Sequence, residues 1–132
     1  MIRVMLADDH QILREGIRRG FEAAGDDVVA EASDGEEATR LAREHVPDVV
    51  VMDLSMRGMD VTEACRYVKA NPAYAHTKIL AIAGHLTEDL SSRIVASGTD
   101  VVMTKPLNID KLRTEMARLL GQRAYQPEEA YA

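Results

Sequence analysis

Tryptophan is absent from this chain, and phenylalanine and cysteine each occur once. With so few large aromatic rings there is little to build a platform on which nucleic-acid bases stack. The lone Cys65 has no partner for an intrachain disulfide and cannot build a thiolate metal cluster by itself, so a reducing, cytoplasmic setting is expected. Positive charge is also scarce. Sixteen Lys and Arg stand against twenty-two Asp and Glu, a net charge of −6, with no basic run long enough to track a phosphate backbone. Direct nucleic-acid binding by this domain is therefore disfavoured. No membrane span is expected either: the apolar start from Ile2 to Ala7 is far too short and runs straight into Asp8 and Asp9.

What the chain does have is a regular alternation of apolar runs with helical periods, the pattern of β-α units. Its 132 residues suit one domain, expected over residues 1–121, followed by a flexible acidic tail over 122–132. Five units can be counted. Strands are expected at Ile2–Ala7, Val28–Ala32, Val49–Met52, Ile79–Ala83 and Val101–Met103. The third is almost uniformly apolar, as suits a strand covered on both faces. The intervening helices are predicted to bury Ile12, Leu13, Ile17 and Phe21 in the first, and Ala38, Leu41 and Ala42 in the second. Val61, Ala64, Cys65 and Val68 mark the third, Leu90, Ile94 and Val95 the fourth, and Ile109, Leu112, Met116 and Leu119 the fifth. Thr87 and Asn108 are expected as N-caps, Gly98 as a helix end, and Asp34-Gly35 as a turn. Helical crossovers of one hand make the strands parallel, so the expected architecture is a doubly wound, flavodoxin-like five-stranded sheet of order 2-1-3-4-5 with five helices.

In such a sheet all strand carboxyl ends emerge on one edge, where ligands bind. That edge receives Asp8 and Asp9 from the first strand, Asp53 from the third, Ala83-Gly84 from the fourth and Lys105-Pro106 from the fifth. Each has a plain structural role available: Asp8, Asp9 and Asp53 as loop or helix caps, Lys105 as a solvated turn residue. Together they point further. Carboxylates crowded out of water repel, and a hard divalent cation resolves the conflict. Magnesium suits so small a set of protein oxygens better than calcium.

Over residues 2 to 120 the chain resembles the receiver domain of two-component response regulators. The likeness is carried by Leu6-Ala7-Asp8-Asp9-His10, Leu13-Arg14-Glu15-Gly16, Asp53 and Thr104-Lys105-Pro106-Leu107. The first two segments look like receivers joined to helix-turn-helix output domains, the last more like the chemotaxis and relay type. The resemblance implies Asp53 as phosphoacceptor, Asp8 and Asp9 as the magnesium-binding pair, Ser55 as a carbonyl ligand and Lys105 as the phosphate-pairing, catalytic lysine. It also implies a cis Lys105-Pro106 bond, a sensor histidine kinase or histidine phosphotransferase as phosphodonor, and an unidentified downstream protein. Partner docking, or a homodimer, is expected on the face of the fourth helix, fifth strand and fifth helix, near Arg93, Lys111 and Arg113.

Two switch positions depart from that family. Ala83 stands where a Ser or Thr hydroxyl usually bonds the phosphoryl group, and Val102 where an aromatic ring usually turns inward. Arg57 and Val61 replace the customary Pro and Gly of the loop after Asp53. The Gly84 amide and the His85 ring are candidates to contact phosphate in place of the missing hydroxyl. The alternatives are therefore a pseudo-receiver that binds partners without phosphorylation, and the receiver part of a DNA-binding regulator. A phosphohydrolase or flavin protein on the same fold is disfavoured, because Asp8 and Asp9 would repel a flavin phosphate and Ser55 stands where a second phosphatase acid is needed.

Overall fold

The computed structural model describes residues 1–56 and 61–121, the side chains of Val61 and Thr62 excepted. Five strands alternate with five α-helices: β1 (Arg3–Ala7), α1 (Gln11–Ala23), β2 (Asp27–Ala32), α2 (Gly35–His45), β3 (Val49–Asp53), α3 (Val61–Ala70), β4 (Lys78–Ala83), α4 (Glu88–Ala96), β5 (Val101–Thr104) and α5 (Ile109–Leu119). A 3₁₀ turn at Pro72–Tyr74 links α3 to β4. The strands form one sheet of order β2-β1-β3-β4-β5, and every pairing is parallel. The expected order and strand count are both found. Arg57 and the expected tail over 122–132 lie outside the described residues.

Two apolar layers cover the sheet. On one face Met5, Val50, Met52 and Ile79 pack with Ala38 and Ala42 of α2 and with Ala64, Cys65 and Val68 of α3. On the other, Val4, Leu6, Val51 and Leu80 pack with Ile17 and Phe21 of α1 and Leu112 and Met116 of α5. Alternate residues of β1 and β3 thus serve opposite layers, which is why those central strands read as continuous apolar runs. The outer strands do not: β5 is half-buried at Val101, Val102 and Met103.

Capping follows local chemistry. Thr87 Oγ1 accepts the Leu90 N–H and Asn108 Oδ1 accepts the Lys111 N–H, so α4 and α5 begin where the side chains predict. Asp34, expected in a turn, is instead the N-cap of α2. It accepts the Glu37 N–H at 2.8 Å, while Glu37 Oε1 accepts the Ser33 N–H. Gly98, at φ +87°, ends the α4 segment, and Gly20 brings α1 close to α5: a Cβ there would lie 2.8 Å from Ile109 Cγ1.

Three inward assignments are corrected. Ile12 is 88% exposed, Leu13 is 37% exposed and Val95 is 75% exposed. Ile12 and Leu13 lie in the first turn of α1, whose buried residues, Ile17 and Phe21, come further along the helix. In α4, Ile94 takes the inward direction, and its neighbour Val95, about 100° further round the helix, is turned out.

Candidate functional site

The last paired rung between β1 and β3 is Ala7 with Met52. One residue further, Asp8 and Asp53 leave the carboxyl ends of adjacent parallel strands. Both line a small cavity with Leu6, Ala7, Arg14, Ile17, Val51 and Ile82. Both are nearly closed to solvent, Asp8 at 6% and Asp53 at 2% exposure. The backbone at the rim is pinned: Asp8 N–H donates to the Ala32 carbonyl and Leu54 N–H to the Ile82 carbonyl.

Asp53 is held from two sides. Its Oδ1 accepts the Ser55 N–H at 2.9 Å and the Ser55 hydroxyl at 2.7 Å; its Oδ2 accepts Lys105 Nζ at 3.0 Å. The Lys105 N–H donates to the Ala83 carbonyl, which ties the residue to the end of β4, and the following Lys105-Pro106 bond is cis, as expected. Burial by itself raises the Asp53 pKa, but the bonds from the Ser55 amide and hydroxyl and the Lys105 ammonium outweigh it, and the carboxyl is held below the usual range. Asp53 is therefore a carboxylate at neutral pH.

Asp8, Asp9 and His10 form a second group, each offering one ligand atom with all three atoms within 4.8 Å of one another. His10 N–H donates to Asp8 Oδ1 at 2.8 Å, and the ring Nδ1 lies 3.3 Å from that oxygen and 3.2 Å from Asp9 Oδ1. The sequence pattern indicates Asp8 and Asp9 but leaves the ring position of His10 unread. Arg14 was missed as well: its Nη1 donates to the Asp8 carbonyl at 2.7 Å, and its Nε pairs with Glu31 Oε1 at 3.1 Å. The signal for it was weak, an Arg one helical turn beyond His10.

As a donor set, Asp8, Asp9, Asp53 and the Ser55 carbonyl are hard oxygens around nearly dry carboxylates, and that chemistry fits Mg²⁺. The remaining candidates are dispersed. Ala83 is 2% exposed at the end of β4, and Val102 is half-buried in β5. Gly84 and His85 lie exposed in the loop after β4, and His85 makes no hydrogen bond or ion pair with the described residues. Arg93 and Lys111 are exposed on α4 and α5. Arg113 departs from the expected face: its Nε pairs with Asp26 Oδ2 at 2.7 Å and its Nη2 approaches the Ala24 carbonyl, so it faces the end of α1.

A parallel sheet with an acidic strand-end pocket and a lysine reaching into it from the last strand defines a signalling receiver. Residues 4–117 match the model of the response regulator receiver domain, and the chain belongs to that family, the receivers of two-component signalling. It is 40% identical over 99 residues to the transcriptional regulatory protein LiaR of Bacillus subtilis (strain 168), covering 74% of this chain and 46% of LiaR. It is 35% identical over 133 residues to the response regulator GacA of Pseudomonas viridiflava, covering 98% of this chain and 61% of GacA. A solved two-component response regulator of the LuxR family from Aurantimonas sp. SI85-9A1 superimposes with a TM-score of 0.80 at 38% identity, covering 99% of this chain and 94% of that one. The chain spans about half the length of the curated relatives it matches. Among the described residues no helix is long and apolar enough to cross a membrane.

Proposed function

We propose that residues 1–121 act as a phosphoryl-accepting receiver, with Asp53 as the acceptor. The observation that carries this reading is the 3.0 Å approach of Lys105 Nζ to Asp53 Oδ2, between residues 52 positions apart in sequence. A carboxylate kept ionised in a nearly dry pocket is ready to act as a nucleophile. An Asp53 oxygen attacks the phosphorus of a phosphohistidine on a sensor kinase or histidine phosphotransferase, or of a small phosphodonor. The phosphorus–nitrogen bond breaks, the imidazole keeps the electron pair, and an acyl phosphate forms on Asp53. The Lys105 ammonium shifts its hydrogen bond from Asp53 to a phosphoryl oxygen, and Ser55 holds the carboxylate in line. Asp8, Asp9, Asp53 and the Ser55 carbonyl would hold Mg²⁺, which when bound offsets charge on the transferring oxygens. Water later hydrolyses the anhydride, so the chain catalyses only its own phosphorylation and dephosphorylation.

The modification adds about two negative charges to an already acidic pocket and so biases the adjoining loops. With Ala83 and Val102 in place of a hydroxyl and a ring, that bias is carried by Lys105 and the Gly84 backbone. Arg93 and Lys111 are the basic groups offered to a downstream protein or a second copy. Charge reversal at both should weaken a partner complex while leaving phosphorylation intact, and unchanged affinity would count against that face.

Incubation with Mg²⁺ and acetyl phosphate, followed by intact mass, tests the whole reading. One added phosphoryl group that is absent from Asp53→Asn supports it. No gain with acetyl phosphate or a phosphorylated histidine phosphotransferase would favour the pseudo-receiver, the reading that buried Ala83 supports. The names of the relatives favour a setting in a DNA-binding regulator, and the reading frame flanking this chain tests that.

A further inference from the structure

We propose that Glu31 is a positioning residue for the metal site: it holds Arg14 on the main chain of Asp8 and so keeps that guanidinium off the carboxylates that bind Mg²⁺. The inference rests on the reading that Asp8 and Asp9 hold the ion. Arg14 and Arg18 stand one helical turn apart on α1 and therefore share a face of that helix. Glu31 of β2 lies against that face and divides its oxygens between them, with Oε1 3.1 Å from Arg14 Nε and Oε2 3.1 Å from Arg18 Nη1. With its Nε so engaged, Arg14 donates from Nη1 to the Asp8 carbonyl at 2.7 Å. The guanidinium is thus anchored to a carboxylate on one side and to a neutral oxygen on the other.

That division matters because Arg14 lines the same small cavity as Asp8 and Asp53. Its side chain is 17% exposed, so little water screens its charge. A guanidinium bonds a full carboxylate charge more strongly than a carbonyl dipole, and the Asp8 carboxylate belongs to the very residue whose carbonyl Arg14 already touches. Among the described residues, however, Arg14 makes an ion pair with Glu31 and none with Asp8, Asp9 or Asp53. Glu31 supplies the competing charge. It also offsets the charge of Arg14, which would otherwise repel a divalent cation approaching the acids. Loss of Glu31 therefore acts twice in one direction: the guanidinium is free to turn onto the acids, and its charge is no longer balanced. Loss of Arg14 as well removes both effects and leaves only the missing clamp on the Asp8 carbonyl. A purely structural role for Glu31 requires the reverse, with the second loss adding to the first.

Titration calorimetry of the full chain with MgCl₂, for the native protein, Glu31→Ala, Arg14→Ala, the double variant and Arg18→Gln, tests this without any activity measurement. The expected result is a Mg²⁺ affinity weaker by about tenfold or more in Glu31→Ala, recovering in the double variant to the level of Arg14→Ala. Arg18→Gln, which leaves Glu31 on Arg14, should change the affinity by less than about twofold. Urea unfolding establishes that each variant is folded, and Glu31→Gln, which removes the charge and keeps the shape, takes the place of Glu31→Ala if the shorter side chain prevents folding. A native affinity in the Glu31 variant would overturn the proposal. A double variant weaker than the Glu31 variant would overturn it too, by making Glu31 a structural support of the strand. Absence of Mg²⁺ binding to the native chain would instead sink the underlying site reading, so the two failures are distinguishable.

Discussion

Arg14 spans the gap between the first helix and the first strand: its Nη1 donates to the carbonyl of Asp8 at 2.7 Å and approaches that of Ala32 at 3.5 Å. Glu31 pairs with its Nε, and Arg18 pairs with the other oxygen of Glu31, so the clamp is itself held. The carbonyl it satisfies belongs to a residue only 6% exposed. Losing the donor therefore leaves a nearly buried acceptor unpaired.

Arg14→Ala is expected to lower stability by about 1–3 kcal/mol, the usual cost of stranding such a group, with Arg14→Lys losing less. Because Asp8 moves with its backbone, Mg²⁺ affinity should fall several-fold in the same variant. Urea unfolding and metal titration check the two effects separately.

The legibility of this molecule in its sequence varies with the range of the interaction. Thr87 and Asn108 could be assigned as caps because the hydrogen bond each makes closes within three residues. The central strands were visible because burial on both faces leaves no polar alternation in Val49-Val50-Val51-Met52. Arg113 was misplaced because its partner, Asp26, is 87 residues away and no local pattern encodes that pair. Ile12 and Leu13 were read inward because helical period says which residues share a face, not how far along the helix that face stays covered. At the site, Asp8, Asp9, Asp53 and Lys105 were legible through the parallel-sheet rule, which gathers strand ends. The ring of His10 was not, since a side-chain rotamer decides which way it faces.

Ala83→Thr should restore the hydroxyl that the pocket lacks. A hydrogen bond to a charged group is worth about 1.5–3 kcal/mol, so phosphorylation by acetyl phosphate should accelerate by about tenfold or more. Ala83 is 2% exposed, so the larger side chain should also cost about 1 kcal/mol of stability. Phosphorylation kinetics and thermal unfolding measure the opposing changes; a rate no faster than native would show that no phosphoryl oxygen comes within reach of that position.

Val46 ends α2 with φ at +43°, a left-handed conformation that a β-branched residue adopts at a cost of about 1–2 kcal/mol. Its N–H closes the helix on the Ala42 carbonyl, and its own carbonyl accepts Arg3 Nη1, so the conformation is enforced by its neighbours. Glycine needs no such strain, although its freedom in the unfolded chain takes back about 0.5–1 kcal/mol. Val46→Gly is expected to stabilise the fold by about 0.5–1 kcal/mol net, seen as a higher urea midpoint with an unchanged slope.

The lowered pKa of Asp53 fixes the sign of one pH effect. In the unfolded chain an aspartate titrates near about 3.9; in the folded pocket it titrates lower, so between the two values the unfolded state binds more protons. Stability from this carboxylate is therefore present in full above the unfolded value and is lost as pH falls through the folded one. Asp53→Asn has no proton to take up there. The stability difference between native and variant should shift toward the variant on acidification from pH 6 into that window, and chemical unfolding at a series of pH values reads it directly. A difference that stayed constant with pH would mean that Ser55 and Lys105 do not hold the carboxylate in solution as they do here.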